Sequence, residues 1–534
     1  MQNTTQAPQN LAMNMIDRVC AGDILTRSAD LYPRNIAIVD GERTLTYADF
    51  ERQTNQAASA LLDLGLNPGD AVGVLARNCI ELLVTYMACS RANLVCAPVN
   101  LGLKPDEIAY CLRDCGARVL LVEEALAEIG QGLPEHLPAL ENVFWTGDQA
   151  TQGGGKTWNT FASLLAAGSP APLEVPVHDR DPVQLLYTSG TTAKPKGVVT
   201  SHLAVTMAAM ANVIANQLPP EANMLCNLPL FHCTAVNCLA LPTFMMGGQL
   251  VLTKGFDARE CARLIEAHRI HMFVFLPMMY NEILADPEAR SRDFSSVRRA
   301  LYAMAPMAES KLKAIHDLLP NADVVLGSGQ TEFTPATCLI RPEHQWTKAG
   351  SWGTATPMTR VAIMDDRGNI LPPNQPGEIV YRGPQVMTEY FNMPDKTREA
   401  FEHGWFHSGD IGSIDEAGAI WFTDRKKDVI KTGGENVASL EVERCLIGHS
   451  AVSEAAVIGL PHERWGEAIT ANVILLPEAQ ATEQELLEHC RQNLAGFKVP
   501  KAIVVVDEFP RTGTGKIQKH RIRKDMEDYF SEGN

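Results

Sequence analysis

The sequence predicts an α/β fold: a large N-terminal domain of α/β subdomains plus a β-rich subdomain, then a small C-terminal α+β domain. Three observations carry this expectation. Short apolar runs alternate with helical patterns early in the chain, turn-punctuated strands follow residue 350, and a charged run at Asp424–Asp428 precedes a compact series of helices and strands.

In chain order, AVGVLA (71–76), NLVCAPVN (93–100) and ARVLLVEE (117–124) read as short buried strands. Between them, ADFERQTNQAASALLDLG and CIELLVTYMACSRA space their apolar residues as helices do, so a largely parallel sheet is expected. GDQATQGGGKTWNT (147–160) ends in Gly155-Lys156-Thr157 and superficially matches a phosphate loop. The required first glycine is Ala150, and no apolar strand feeds the segment, so it is expected to be a surface loop. A second α/β stretch runs from about 180 to 350. RVAIMDDRGNI, GEIVYRGP and AIWFTDRKKDVIKTGG then read as strands separated by turns such as Asp366-Arg367-Gly368-Asn369. The charged run has no apolar residue to anchor it and marks the expected boundary between domains 1–424 and 425–534. After it, SLEVERCLIG, AVSEAAVIGL, ITANVILL, EQELLEHCRQNLA and KAIVVVDEF alternate helix and strand. Ser439 is placed as the cap of a helix carrying Glu441 and Glu443 in its first turn.

At 534 residues the chain is several times the ~150-residue prior for one domain. Its 46% hydrophobic and 20% charged residues are those of a globular protein. The 46 Lys and Arg against 63 Asp and Glu give a net charge of −17. That balance argues against a nucleic-acid partner or an anionic membrane, while a local cationic cleft stays compatible with it. The 13 cysteines include no CxxC pair, and Cys111 and Cys115, one helical turn apart, lack the other ligands of a zinc site. They read as free thiols in a reducing compartment. The opening MQNTTQAPQNLAMNMIDRVC lacks a signal pattern, LAVTMAAMANVIA (203–215) is too short to span a bilayer, and YFSEGN is no peroxisomal address. The expectation is a cytoplasmic protein without stable membrane insertion.

The segment richest in chemistry runs Leu185-Leu186-Tyr187-Thr188-Ser189-Gly190-Thr191-Thr192-Ala193-Lys194-Pro195-Lys196-Gly197-Val198-Val199. Small residues let backbone N–H groups turn toward an anion, hydroxyls add donors and lysines neutralise charge, which is the chemistry of a polyphosphate clamp. By composition alone a Ser/Thr-rich surface loop is as good a reading. Gly327-Ser328-Gly329-Gln330-Thr331-Glu332 follows the strand-like ADVVL and offers a hydroxyl and a carboxylate suited to Mg²⁺. Gly404 through Asp410 sets a carboxylate in a Gly-flanked turn suited to ribose hydroxyls, and Pro510-Arg511-Thr512-Gly513-Thr514-Gly515-Lys516 presents one lysine on a Gly/Thr loop.

Taken together and in this order, these segments resemble the adenylate-forming superfamily: acyl-CoA synthetases, firefly-type luciferases and peptide-synthetase adenylation domains. The resemblance covers nearly the whole chain, from LTYADF (45–50) to GKIQK (515–519), and YTSGTTAKPKGV is close to the family's YTSGTTGxPKGV. It implies that the C-terminal domain is a mobile lid, which rotates between two half-reactions. A carboxylate and ATP give acyl-adenylate and pyrophosphate; a thiol then displaces AMP.

Residue by residue, the resemblance implies that Thr188, Ser189, Gly190, Thr191, Thr192 and Lys196 hold the β- and γ-phosphates. Ala305 and Pro306 would line the adenine and acyl pockets, and Ser328, Gly329 and Gln330 would bind ATP. Thr331 would meet the α-phosphate, Glu332 with Thr188 would hold Mg²⁺, and Asp410 with Arg425 would grip the ribose. Lys516 would bridge the attacking carboxylate and the α-phosphate. His232, Cys233, Met304 and Gly327 would shape the acyl pocket; Lys427 would be the hinge, and Lys431, Gly433 and Gly434 would form the pantetheine tunnel for CoA. The implied activity is that of an ATP-dependent acyl-CoA synthetase for a medium-chain fatty, aryl or alicyclic acid. Its co-substrates are ATP and CoA, and a homodimer is compatible with it. The competing readings are an adenylation enzyme loading a carrier protein and a silent nucleotide-binding scaffold. Amino-acid adenylation is disfavoured because Pro229–Ala235 (PLFHCTA) holds no acid to pair an α-ammonium.

Departures from the pattern are Ala193 where glycine is usual, Ser328 in place of an aromatic that stacks on adenine, Met304 in a small-residue pair, and Ser439 where proline is common. His202 and His407 read as structural. Cys233 beside His232 imitates a nucleophilic dyad, but neighbours on an extended strand would point to opposite faces. The basic run Lys519, His520, Arg521, Arg523 and Lys524 reads as a solvated helix face, with the 3′-phosphate of CoA as the competing partner.

Overall fold

A computed structural model describes residues 11–188, 194–303, 307, 309–477, 479–511 and 517–530. Ser189, Gly190, Thr191, Thr192, Ala193, Met304, Ala305, Pro306 and Lys516 lie outside the described residues. The chain packs as two compact units, 1–360 with 382–401 and 361–381 with 402–534, so the expected boundary at 424/425 falls inside the second unit.

The alternating pattern of the first part folds as expected. AVGVLA yields the strand Ala71–Leu75, and Val95–Pro98 and Val119–Val122 pair with it in parallel on either side. All residues of these three strands are buried, as continuous apolar runs in a sheet covered on both faces should be. The helices Tyr47–Asp63 and Ile80–Arg91 match the two helical patterns, and Thr46 caps the first by accepting from the Asp49 N–H. Phe50 on that helix is fully buried and meets Phe244 edge-on at 5.2 Å; burying a phenylalanine stabilises the fold by ~1.5–3 kcal/mol. The false phosphate loop is a hairpin. Thr151–Gly153 pairs antiparallel with Lys156–Thr160, and Gly154 and Gly155 take positive φ (54° and 71°) between them.

A second sheet in this unit sets neighbouring parallel strands in the order Asp323–Ser328, Arg299–Ala303, Met272–Phe275 and Met224–Cys226. Gly327 and Ser328 therefore end one strand, the segment Leu228–His232 follows another, and both emerge at the carboxyl edge where open α/β sheets bind ligands.

In the second unit, the antiparallel strands Arg360–Met364, Gly377–Arg382, Phe406–Ile414 and Ile420–Arg425 realise the expected β-rich text, the first and second extending one residue past the unit's edge. The helices Ser439–Ile447 and Glu483–Asn493 pack with the strands Val452–His462, Gly466–Leu475 and Ala502–Val505 as the α+β portion. The charged run is not a solvated linker. Asp424 is buried, and its oxygens accept from the Ser439 N–H (2.5 Å) and Ser439 Oγ (2.7 Å). Ser439 is the first residue of its helix and not its cap; the Ala438 that precedes it makes no side-chain cap bond.

Candidate active site

Each unit holds part of the expected site. In the first, Thr188 ends the strand Pro182–Thr188 and faces Lys196 across an antiparallel pair. The Thr188 hydroxyl donates to the Lys196 carbonyl at 3.4 Å. Both lysines of the segment lie over tyrosine rings, Lys196 at 4.1 Å from the centre of Tyr390 and Lys194 at 5.0 Å from Tyr110. A cation over a ring face keeps its charge while its stem is sheltered.

Beyond Ser328, the chain turns sharply because Gly329 is pressed against Pro335 and Ala336; a Cβ there would fall 2.7 Å from the Pro335 side chain. Thr331 and Glu332 then occupy a short 3₁₀ turn, Thr331–Phe333, anchored by the fully buried Phe333. The Glu332 carbonyl accepts from the Met387 N–H at 2.7 Å, and its carboxylate Oε1 accepts from the Tyr390 hydroxyl at 2.9 Å.

Thr331 is brought to the expected acyl pocket by a sulfur contact: Cys233 Sγ lies 3.3 Å from Thr331 Oγ1 and 3.6 Å from His232 Nδ1. The opposite-faces expectation for His232 and Cys233 fails because Cys233 is helical (φ −53°, ψ −34°). The Thr234 N–H donates to His232 Nδ1 at 3.2 Å, which makes Nδ1 an acceptor and leaves the ring proton to Nε2. Gly327 is crowded by Leu339, 3.1 Å from where a Cβ would stand. Behind this wall Cys238 Sγ and Asn212 Nδ2 both donate to the Pro335 carbonyl, at 2.9 and 3.2 Å, an arrangement the sequence reading did not include. His202 is structural as expected. It is fully buried, its Nδ1 accepts from the Ala21 N–H at 3.1 Å, and burial pushes its pKa down to about 4.

In the second unit, Asp410 and Arg425 are register partners on adjacent strands, and Arg425 Nε meets Asp410 Oδ1 at 2.9 Å. Gly409 takes a positive φ of 71° immediately before the aspartate, and its N–H donates to Glu378 Oε1 at 3.0 Å. His407 bridges Glu378, 3.2 Å from Nδ1, and the Glu402 carbonyl, 3.0 Å from Nε2. Lys431, Gly433 and Gly434 form one tight hairpin: Ile430–Thr432 pairs with Glu435–Val437, and both glycines have positive φ (60° and 86°). Lys427 lies two residues past the end of the strand Ile420–Arg425. Lys519 is not a solvated residue on a basic face. It is largely buried, 2.6 Å from Glu443 and donating to Ser439 Oγ at 2.7 Å, so it is committed inside the unit and cannot greet a CoA phosphate. Arg523 likewise faces Asp428 at 3.5 Å.

No group of three His, Cys, Asp or Glu side chains among the described residues could hold a metal by itself. Glu332 supplies a single carboxylate, and the hydroxyls of Thr188 and Thr331 in the same unit are further hard oxygen donors. That set fits Mg²⁺, which is commonly bound by one or two carboxylates plus substrate phosphates. Among the described residues no helix is long and apolar enough to cross a membrane.

Comparison with known proteins identifies the family. The family described as AMP-binding enzyme matches residues 25–391, and the AMP-binding enzyme C-terminal domain matches 441–516. A feruloyl-CoA synthase of Amycolatopsis is 35% identical over 498 residues, covering 93% of this chain and 97% of its own. The long-chain-fatty-acid–CoA ligase FadD13 of Mycobacterium tuberculosis is 33% identical over 506 residues, covering 94% and 98%. The o-succinylbenzoate CoA synthetase of Bacillus subtilis, solved with ATP and a magnesium ion, superposes with a TM-score of 0.83 at 26% identity, covering 94% and 99%. The chain belongs to the adenylate-forming superfamily, in its branch of AMP-forming acyl-CoA synthetases.

Proposed function

We propose that this ligase activates a hydrophobic carboxylic acid, of medium-chain fatty, alicyclic or aryl type, and passes it to CoA. The observation that carries the reading is the contact of Thr331 with Cys233, itself beside His232, in a segment, Pro229–Ala235, that contains no acidic side chain. A feruloyl-CoA synthase and a fatty-acid–CoA ligase among the relatives support an apolar acid over an amino acid.

Attack of a carboxylate on an anionic triphosphate is opposed chiefly by like-charge repulsion. Lys196 and the hydroxyls from Thr188 onward would bind the phosphates, Thr331 would orient the α-phosphate, and Asp410 with Arg425 would hold the ribose. Glu332 with Thr188 would hold Mg²⁺, which supplies charge neutralisation at the phosphates when bound. Lys516 would align the incoming carboxylate, and removing one preorganised charge contact of this kind costs ~10²–10³ in rate. Lys427 would be the pivot between a large domain ending near residue 424 and a lid, and the Lys431–Gly434 hairpin would border the pantetheine path. The free cysteines, all buried except Cys445, support a reducing, cytoplasmic setting.

A pyrophosphate-release screen over fatty, alicyclic and aryl acids, with and without CoA, tests the substrate; turnover only with amino acids would sink the reading. Lys516→Ala should lower pyrophosphate release ~10²–10³-fold yet spare thiolysis of supplied acyl-adenylate. Equal loss of both steps would remove Lys516 from the adenylation role.

A further inference from the structure

The segment Gly383–Phe391 belongs to none of the expected motifs, yet it joins two of them. The Thr388 N–H donates to the Val199 carbonyl and the Phe391 N–H to the Gly197 carbonyl, both at 2.8 Å, so the segment is stitched to the strand Lys196–Ser201. Tyr390 pairs in register with Val198, while the Met387 N–H holds the Glu332 carbonyl at 2.7 Å. From this place one buried side chain serves two opposite charges. The Tyr390 hydroxyl donates to Glu332 Oε1 at 2.9 Å, and its ring carries the Lys196 ammonium at 4.1 Å.

Geometry makes this arrangement consequential. Glu332 and Lys196 are opposite charges drawn toward each other, and a salt bridge between them would consume both groups. Among the described residues no ion pair joins them; the phenol lies between, engaging each at a different part of the ring. With Oε1 held by the phenol, the carboxylate is fixed, and a fixed carboxylate loses less freedom when a further ligand arrives. A hydrogen bond to a charged group is stronger than one between neutral groups, so loss of the phenol hydroxyl should be felt at the carboxylate.

We propose that Tyr390 is a positioning residue for the phosphate site, its hydroxyl aiming Glu332 at the metal and its ring face setting Lys196 toward the nucleotide. This rests on the reading of Glu332 and Lys196 given above. It predicts that the two parts of the tyrosine separate experimentally.

The test is calorimetric ATP binding to the full-length protein without acid or CoA, with Mg²⁺ and with EDTA. Tyr390→Phe keeps the ring, so metal-free ATP affinity should stay within about twofold, while the gain in affinity on adding Mg²⁺ should shrink ~10-fold. Tyr390→Leu should show the same loss and also weaken metal-free binding ~3–5-fold, as an ammonium leaving a ring face would. Thermal melts confirm that each variant is folded. Unchanged Mg²⁺ dependence in Tyr390→Phe, or equal weakening with and without metal, would overturn the proposal. Glu332→Gln in parallel separates the two readings. If it abolishes the Mg²⁺ gain while Tyr390→Phe does not, only the tyrosine proposal fails; if it leaves the gain intact, the metal role of Glu332 fails and the proposal with it.

Discussion

Two regions of the molecule hold polar groups in their interiors by different means: the surroundings of His202 and Cys238 in the first unit, and the chain of groups from Asp424 to Glu443 in the second. In the first region two lone titratable groups stay uncharged, His202 held neutral and Cys238 with its thiol pushed well above the usual range, although the same unit buries Asp40, Arg91, Glu123 and Arg299 in ion pairs elsewhere. The second region buries charge in partnership. Asp424, Ser439, Lys519 and Glu443 form one continuous chain of ion pairs and hydrogen bonds. The difference teaches that a buried charge survives where its partners arrive with it, and that a lone ionisable group survives by giving up its charge. In this enzyme the buried charges fasten the helix Ser439–Ile447 to the strand Ile420–Arg425 and to the helix Lys519–Asp525.

The largest effect expected from this contrast follows removal of one member of the charged chain. Lys519→Met should cost about 3–5 kcal/mol by stranding Glu443 and releasing Ser439. Urea unfolding checks the stability, and CoA KM should be unchanged. A raised CoA KM with unaltered stability would return Lys519 to the cofactor and erase the distinction between the two regions.

A smaller effect is expected in the first unit. The folded pKa of His202, about 4, lies below the unfolded value of 6.5, so between these values the unfolded chain binds the proton. The contribution is therefore complete above pH 6.5 and is lost, by about 3 kcal/mol at most, as pH falls toward 4. His202→Asn, whose amide oxygen can replace Nδ1 as acceptor for the Ala21 N–H, should flatten this part of the pH–stability curve. An identical slope in the variant would show that the imidazole is not its source.

The smallest effect concerns backbone conformation. At Gly434, φ is +86° and a Cβ would meet nothing within 4 Å, so Gly434→Ala perturbs the hairpin by torsional strain alone. A cost of about 1–2 kcal/mol should slow thioester formation about tenfold while pyrophosphate release persists. Equal slowing of both steps would detach the hairpin from the CoA path.

Much of the fold was legible because its signals are local. The apolar runs at 71–76, 93–100 and 117–124 became parallel strands, and the five C-terminal segments became the expected helices and strands. The candidate site was legible as an order of motifs, since hydroxyls, a glycine and lysines sit within one short stretch. What escaped was contact across long separations. Tyr390 meets Glu332 from 58 residues away, and Lys519 meets Ser439 from 80. The expectation for His232 and Cys233 failed for a different reason: an extended strand was assumed where the backbone had already turned helical.

The sequence by itself determined the α/β class, the superfamily and the inventory of charged groups, because periodicity and motif chemistry reside in neighbouring residues. Tertiary structure alone decided what several of those groups do. A lysine in a basic run is a solvated charge until folding sets it 2.6 Å from a buried carboxylate, and a tyrosine outside every motif is unremarked until a strand pair carries its hydroxyl to 2.9 Å from Glu332. The physical reason is desolvation: burial and partnership fix the energy of a charge, and both arise from residues remote in the chain.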